Sequence, residues 1–323
     1  MTRLRYALDM HSIFMHRCLE LAEHGRGKVS PNPLVGCVIT MEVSDTRYQA
    51  SGDETVIIAE GWHEEFGEKH AEINAIGKCV GAQRAVPLQN ATLYVNIEPC
   101  CHEGKQPPCI NAIIKAGIKK IVFGARDPLH GGADILRKTG IEVIGPVLEA
   151  ECRRQNRGFF SLAEQGRPWV TLKKALMRDG HVKHDDAPRG KPLKITSGEQ
   201  DAWAHARLRA THDAILVGSG TVLADNPQLN VRHTITAHSL QITAQPRRVI
   251  LDPHGEVPPT AAILTDEDAH RTLVIREKLP IPELLERLKQ ENIASVLVEG
   301  GPRVWQSFEE SGCVDEMVTL VGA

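Results

Sequence analysis

At 323 residues, with 41% hydrophobic and 24% charged side chains, the chain has the composition of a soluble globular protein long enough for two domains. A formal charge of −3 gives no electrostatic reason for bulk nucleic-acid or membrane binding, and an aromatic content of 4% offers few platforms for stacking bases. The longest apolar runs, such as "ILVG" and "SVLVEGG", are too short to span a bilayer, and the N-terminus has no signal-peptide core. Eight cysteines, unevenly spread, do not resemble a secreted disulfide framework. The expectation is a cytoplasmic protein with reduced thiols.

The N-terminal stretch "MTRLRYALDMHSIFMHRCLELAEHGRG" reads as an amphipathic helix, with Ile13, Cys18, Leu19 and Leu21 on one face. "LVGCVIT" and "VIIAEGWH" read as strands and "AEINAIGKCV" as a helix. "ATLYVNIEP" follows as a strand, "PCINAIIKAG" as a helix, "KIVFGARDP" as a strand, and "ADILRKTG" as a helix closed by Gly140. Strands alternating with helices predict a mainly parallel sheet covered on both faces. "GFFSLAEQGRPW" reads as the crossing into a second unit, near residues 158 to 168. There the alternation resumes: strand "WVTLKKAL", helix "EQDAWAHARLRATH", strands "AILVGSG", "RRVILDP" and "TLVIRE", helix "IPELLERLKQENI", strand "SVLVEGG". The polar stretch "HVKHDDAPRGKP" reads as a loop.

The stretch "IEPCCHEGKQPPC" concentrates chemistry. A catalytic zinc site needs three protein ligands and an open position for water. Cys100 closes a predicted strand, and Cys109 opens a predicted helix, where Pro107 and Pro108 suit the first turn and the helix dipole favours a thiolate. The third ligand must come from another segment, and "KHAEIN" supplies His70 at a helix start with Glu72 two residues on. A His-x-Glu upstream of Pro-Cys and a second Cys is the zinc-deaminase arrangement. The metal lowers the pKa of water, and Glu72, not a ligand, carries the proton from that water to the ring nitrogen and the departing ammonia. Cys101 reads as a bystander, because a fourth protein ligand would close the site. The bland alternative, a structural zinc, would need Cys101 or His102 as that fourth ligand.

Nucleoside and tRNA deaminases usually carry PCxxC, whereas eight residues separate Cys100 from Cys109. With "PNPLVGCVI" upstream and "GWH" before "GEKHAE", the pattern closely resembles the bifunctional riboflavin-biosynthesis deaminase/reductase family. The resemblance covers most of residues 10 to 320. It implies an α/β protein: a cytidine-deaminase-like α/β/α sandwich over 1–150, then a dihydrofolate-reductase-like α/β domain over 151–323. The implied chemistry is zinc-dependent deamination of a diamino-hydroxy-pyrimidine carrying a phosphoribosylamino group, then NADPH-dependent reduction of its ribose to ribityl. By the same likeness Asn32 and His63 line the pyrimidine pocket, with His102 and Lys105 near the ribose phosphate. Ala175, Lys194, Thr221, Asp225, Gly300 and Gly301 would contact NADPH, while Arg209, Leu229, Arg232 and Glu299 would face the substrate. Association into a homo-oligomer is implied too, with no nucleic-acid or membrane partner.

The second half departs from that pattern. "VGSGTVLADNPQLNVR" and "VEGGPRVWQ" are glycine-bearing turns able to cradle phosphates, but no GxGxxG fingerprint is present. After Asp179 and Gly180 a longer insert brings Pro192 and Lys194 to positions where the family carries Ser and Trp. The chain stops soon after "VDE", where the family continues into a further strand and the last elements of the domain. "ARDPLHGGAD" is a few residues shorter than the family's loop. A deaminase with a non-catalytic C-terminal binding or assembly module is therefore the alternative, and a nucleic-acid or nucleoside deaminase is a third reading.

Overall fold

The run "ATLYVNI" is apolar at almost every position, so a strand formed from it must have both faces covered. The computed structural model describes residues 2–43, 54–81, 88–181, 195–232 and 245–322, and shows the cover. The chain divides into two units, Met1–Glu164 and Gln165–Ala323. In the first, α1 (Thr2–Ala22) precedes β1 (Gly36–Val43) and β2 (Glu54–Trp62). Then come α2 (Ala71–Gly81), β3 (Ala91–Ile97), α3 (Cys109–Lys115), β4 (Lys120–Ala125), α4 (Ala133–Lys138) and β5 (Glu142–Ile144). Helices α5 (Glu149–Gln155) and α6 (Arg157–Gln165) complete it.

The sheet order is β2-β1-β3-β4-β5. Successive side chains go to opposite faces. Leu93, Val95, Ile121 and Phe123 pack with Ala71, Ala75, Ile110, Ile113 and Leu136 of α2, α3 and α4. Tyr94 and Val122 pack on the other side with Phe14, Met15, Cys18 and Leu21 of α1, Cys152 of α5 and Phe160 of α6. The unit is an α/β/α sandwich. Two expectations change. Only β3–β4 and β4–β5 are parallel; β1 runs antiparallel to both β2 and β3, and the ten residues between β1 and β2 are fewer than a parallel crossover takes. Ile13 is 55% exposed; five residues before Cys18, it stands about 140° around the helix from it, and Phe14 and Met15 take the core-facing place.

The second unit contains β6 (Trp169–Leu176), α7 (Gly198–Arg207), β7 (Ala214–Gly218), α8 (Ser219–Asp225) and β8 (Arg247–Leu251). It continues with α9 (Ala262–Thr265), β9 (Thr272–Ile275), α10 (Ile281–Gln290), β10 (Ser295–Val298), α11 (Pro302–Ser311) and β11 (Glu316–Val321). The order is β11-β6-β10-β7-β8-β9, and every neighbouring pair is parallel. Alternation again sorts the core. Leu216, Val249, Val296 and Val298 pack with Leu284, Leu285 and Leu288 of α10 and Phe308 of α11. Ile215, Val217, Ile250 and Leu297 pack with Ala204 of α7, Val222 of α8 and Ile263 of α9. The residues after Val314 and Asp315 form β11. Its exposed, intermediate alternation marks a sheet edge. The crossing segment is helical as α6, then breaks at Gly166, whose φ is +73°. Among the described residues no helix is long and apolar enough to cross a membrane.

One buried polar clamp fixes the segment leading into β1. Asn156 accepts from Leu34 N–H (2.7 Å) and donates to the Leu34 carbonyl (3.0 Å). Asn96, in β3, donates to that same carbonyl (2.9 Å) and accepts from Gly36 N–H (2.9 Å). Asn156→Leu should leave the Leu34 N–H orphaned and lower unfolding free energy by about 1–3 kcal/mol, read as a drop in urea midpoint at unchanged m-value.

Candidate zinc centre and reductase site

His70 immediately precedes α2, and its carbonyl accepts from Asn74 N–H at 3.1 Å. Gly61 of β2 lets that helix come close: a Cβ there would stand 2.5 Å from the Ala71 carbonyl oxygen and from the Ala75 nitrogen. Cys109 opens α3 behind Pro108, as the sequence predicts. Cys100 sits three residues beyond the end of β3, in an isolated bridge to Gly131. Its position is set by that bridge and not by the strand itself.

The three side chains converge, with their ligand atoms all within 4.8 Å of one another. His70 Nδ1 lies 3.5 Å from Cys100 Sγ and 3.3 Å from Cys109 Sγ. A tetrahedral zinc with bonds of about 2.3 Å to sulfur and 2.0–2.1 Å to nitrogen separates such atoms by about 3.6 Å. The donor set therefore fits zinc, and three ligands leave a fourth position free. Cys109 N–H also donates to Cys100 Sγ (3.4 Å), orienting that sulfur. The hydrogen bond from the Cys109 thiol, with one from His70, pulls Cys100 down to about 4, while the same Cys100–Cys109 bond and burial push Cys109 up. Cys101 turns away and donates to the Gly131 carbonyl (3.4 Å).

Glu72 lies in the first turn of α2 and is 3% exposed. Burial, then the neighbouring Cys100 charge, raise its carboxyl to about 7. Beside it His63, also buried, meets His70 edge-on with ring centroids 5.4 Å apart. His63 Nδ1–H donates to the Lys69 carbonyl (3.1 Å), so Nε2 is an acceptor for Asn32 Nδ2 (3.3 Å). Burial lowers the His63 pKa, which keeps that neutral tautomer. Asn32 and His63 thus adjoin the three-ligand cluster. His102 and Lys105 are exposed on the connecting loop. His102 stacks on His130 with centroids 4.4 Å apart, and Lys105 Nζ stands 3.9 Å above the Phe66 ring. Sequence reading missed Glu98, a buried carboxylate that accepts from Ala133 N–H (2.7 Å) and Asp127 N–H (3.3 Å). A charged residue inside the apolar stretch "YVNIEP" was the available signal.

In the second unit Arg209, in a turn of 3-10 helix, forks onto Glu299, with Nε and Nη2 each 2.8 Å from one carboxylate oxygen. Arg209 Nη1 also donates to the Asn230 carbonyl (3.1 Å), beside Leu229, whose φ is +50°. Lys173 Nζ is 3.5 Å from Glu299, and His205 links the pair to Arg232, whose N–H donates to His205 Nδ1 (3.0 Å). Burial opposes ionisation of Glu299, but Arg209 and Lys173 hold its carboxyl well below the usual range. Arg209, Leu229, Arg232 and Glu299 are therefore brought together. Ala175 lies in β6, Thr221 and Asp225 in α8 after β7, and Gly300 and Gly301 after β10. These three strands are adjacent and parallel, so the three sets share one end of the sheet. Nothing stands within 4 Å of a Cβ built on Gly301, an open backbone of the kind that admits a cofactor phosphate. Pro192 and Lys194 lie outside the described residues.

Replacing a ligand and its neighbour should separate their roles: Cys109→Ser should lose most of its zinc, while Cys101→Ser keeps a stoichiometric load by metal analysis after gel filtration. Glu299→Ala should strand the buried Arg209 charge and cost roughly 3–5 kcal/mol of stability, measured by denaturant unfolding.

Residues 8–125 match the model of the cytidine and deoxycytidylate deaminase zinc-binding region, and residues 168–322 that of the RibD C-terminal domain. The riboflavin biosynthesis protein RibD of Aquifex aeolicus is 37% identical over 95% of this chain and 85% of its own length. RibD of Acinetobacter baumannii has a solved structure with a TM-score of 0.79 and 35% identity, over 97% of this chain and 87% of that one. A diaminohydroxyphosphoribosylaminopyrimidine deaminase/5-amino-6-(5-phosphoribosylamino)uracil reductase from Thermotoga maritima gives a TM-score of 0.79 and 35% identity, over 98% and 87%. With a zinc-deaminase unit ahead of a dihydrofolate-reductase-like unit, the chain belongs to the RibD family of bifunctional riboflavin-biosynthesis enzymes.

Proposed function

We infer that the first unit deaminates a diamino-hydroxy-pyrimidine carrying a phosphoribosylamino group, and that the second reduces the ribose of the deaminated product with NADPH. The observation that carries the deaminase reading is the convergence of His70, Cys100 and Cys109 beside a buried Glu72. When bound, zinc supplies the Lewis acidity that makes water a nucleophile near neutral pH. Glu72 takes the proton of the attacking water and delivers it to the ring nitrogen, then to the leaving amine, so that C–NH₂ and water become C=O and ammonia. A carboxyl raised to about 7 gives and takes protons near neutrality, which suits that double duty. Asn32 donates to His63, which leaves its amide oxygen to accept from the pyrimidine. His102 and Lys105, exposed on the zinc loop, address the ribose phosphate.

For the second unit, Thr221, Asp225, Gly300 and Gly301 hold NADPH at the strand ends, with Ala175 beside them and Lys194 as a partner for a cofactor phosphate. NADPH, when bound, supplies the hydride that reduces the sugar's anomeric carbon and leaves a ribityl chain. The Arg209–Glu299 pair, with Leu229 and Arg232, faces that sugar. The fixed guanidinium meets phosphate or hydroxyl oxygens, and Glu299 receives sugar hydroxyls. The two units act in sequence on one small phosphorylated molecule.

The test is a mass-resolved turnover assay on zinc-loaded protein, with and without NADPH. Amine should be exchanged for carbonyl without NADPH, and hydride should be gained only with it. Glu72→Gln should retain its zinc and fold yet lose deamination by ~10²–10⁴-fold, while reducing pre-deaminated substrate at the unaltered rate. Undiminished deamination by that variant would remove Glu72 from the chemistry.

A further inference from the structure

A pyrimidine that reaches the zinc ligands carries its phosphate away from them, where a dianion needs exposed donors. Besides His102 and Lys105, His130 has that chemistry. His130 comes from the loop between β4 and α4, thirty residues after Cys100 and twenty-one after Cys109, and nothing in its own segment marks it. The fold carries it to the site. The bridge between Cys100 and Gly131 joins the two loops, and Cys101 N–H donates to the His130 carbonyl (2.8 Å). His130 N–H donates to Asp127 Oδ1 (3.0 Å), so both backbone polar groups of His130 are tied. Glu98 grips the same loop at both ends, through Asp127 N–H and Ala133 N–H, and Gly132 N–H donates to the Pro99 carbonyl (2.9 Å). The His130 ring then lies on the His102 ring at 4.4 Å and 17°, nearly parallel.

We propose that His130 is a further substrate-binding residue, forming with His102 a stacked imidazole pair that holds the substrate's phosphate at the rim of the zinc site. Two imidazoles stacked at this distance bring their ring N–H donors close enough to reach two oxygens of one phosphate. A backbone fixed at both N–H and C=O lets His130 offer that edge with little ordering cost on binding. The inference rests on the deaminase assignment above and adds to it a residue that selects phosphorylated over unphosphorylated pyrimidines.

The experiment compares zinc-loaded full-length protein with His130→Ala and His130→Gln, using the phosphorylated substrate and its dephosphorylated counterpart. For His130→Ala, KM for the phosphorylated compound should rise about tenfold, the size of one lost hydrogen bond to a charged group. Its kcat, its zinc content and its KM for the dephosphorylated compound should not move. His130→Gln, which keeps an N–H donor, should recover part of the affinity, and inorganic phosphate should inhibit the alanine variant more weakly than the parent. An equal KM rise for both compounds, or none for either, overturns the role. If the alanine variant fails to fold, the same comparison on His130→Gln decides, a phosphate-selective KM rise supporting the role and its absence overturning it. Should the parent protein deaminate neither compound, the deaminase assignment fails and this inference with it; a parent that deaminates with an indifferent His130→Ala sinks only the inference.

Discussion

Two cysteine sulfurs and an imidazole nitrogen within 4.8 Å of one another form a donor set that suits a zinc ion. The hydrogen bond from the Cys109 thiol draws Cys100 down to about 4, and the same bond, with burial, pushes Cys109 up. A dication in that place lets both sulfurs ionise. Everything else in the first unit can be read as what it takes to hold those atoms together. The ligands come from the start of α2, the start of α3 and a bridge beyond β3. Each is fixed by main-chain geometry more than by side-chain packing, and none could be moved without reorganising an element.

Polar groups buried in the same region do the fastening. Asn96 and Asn156 grip the backbone at Leu34, and His63 N–H donates to the Val35 carbonyl at 2.9 Å. Asn32 and His63, which adjoin the ligand cluster, are therefore anchored through a segment that would otherwise be free loop. Glu98 does the equivalent for the segment carrying His130. Buried amides and carboxylates are tolerated when every donor and acceptor is matched, and they then specify one loop geometry where apolar packing would permit several.

How much of this was legible in sequence follows from how local the signals are. The zinc ligands and Glu72 stand in short motifs whose residue types admit few chemistries, and strands such as β3, β4 and β6 announce themselves as apolar runs. Strand direction is not local: β1 reads like β3, and only the pairing reveals them as antiparallel. Helix α8 begins with Ser and Gly, residues that favour turns, and β11 is an edge strand half open to solvent, so neither gives a clean period. His130 left no trace in its own segment because its partner, His102, lies twenty-eight positions earlier in the chain. Asn156 has the same limitation, since its partner Leu34 lies 122 residues away.

In the second unit the sheet order brings the proposed site residues together. Strand β10 enters late in the chain yet lies between β6 and β7, the first two strands laid down. Its continuation, Glu299-Gly300-Gly301, therefore emerges between the end of β6, which carries Ala175, and α8, which carries Thr221 and Asp225. Open parallel sheets bind ligands outside the carboxyl ends of their strands, where the order of connection reverses. Glu299 stands at that point with Arg209 and Lys173 against it, a buried charge network whose desolvation is costly unless its geometry is good. Hydrophobic residues could fill that space at less expense in solvation. A carboxylate and a guanidinium kept fixed at a strand end are consistent with the sugar-binding role proposed for them, which stability alone would not call for.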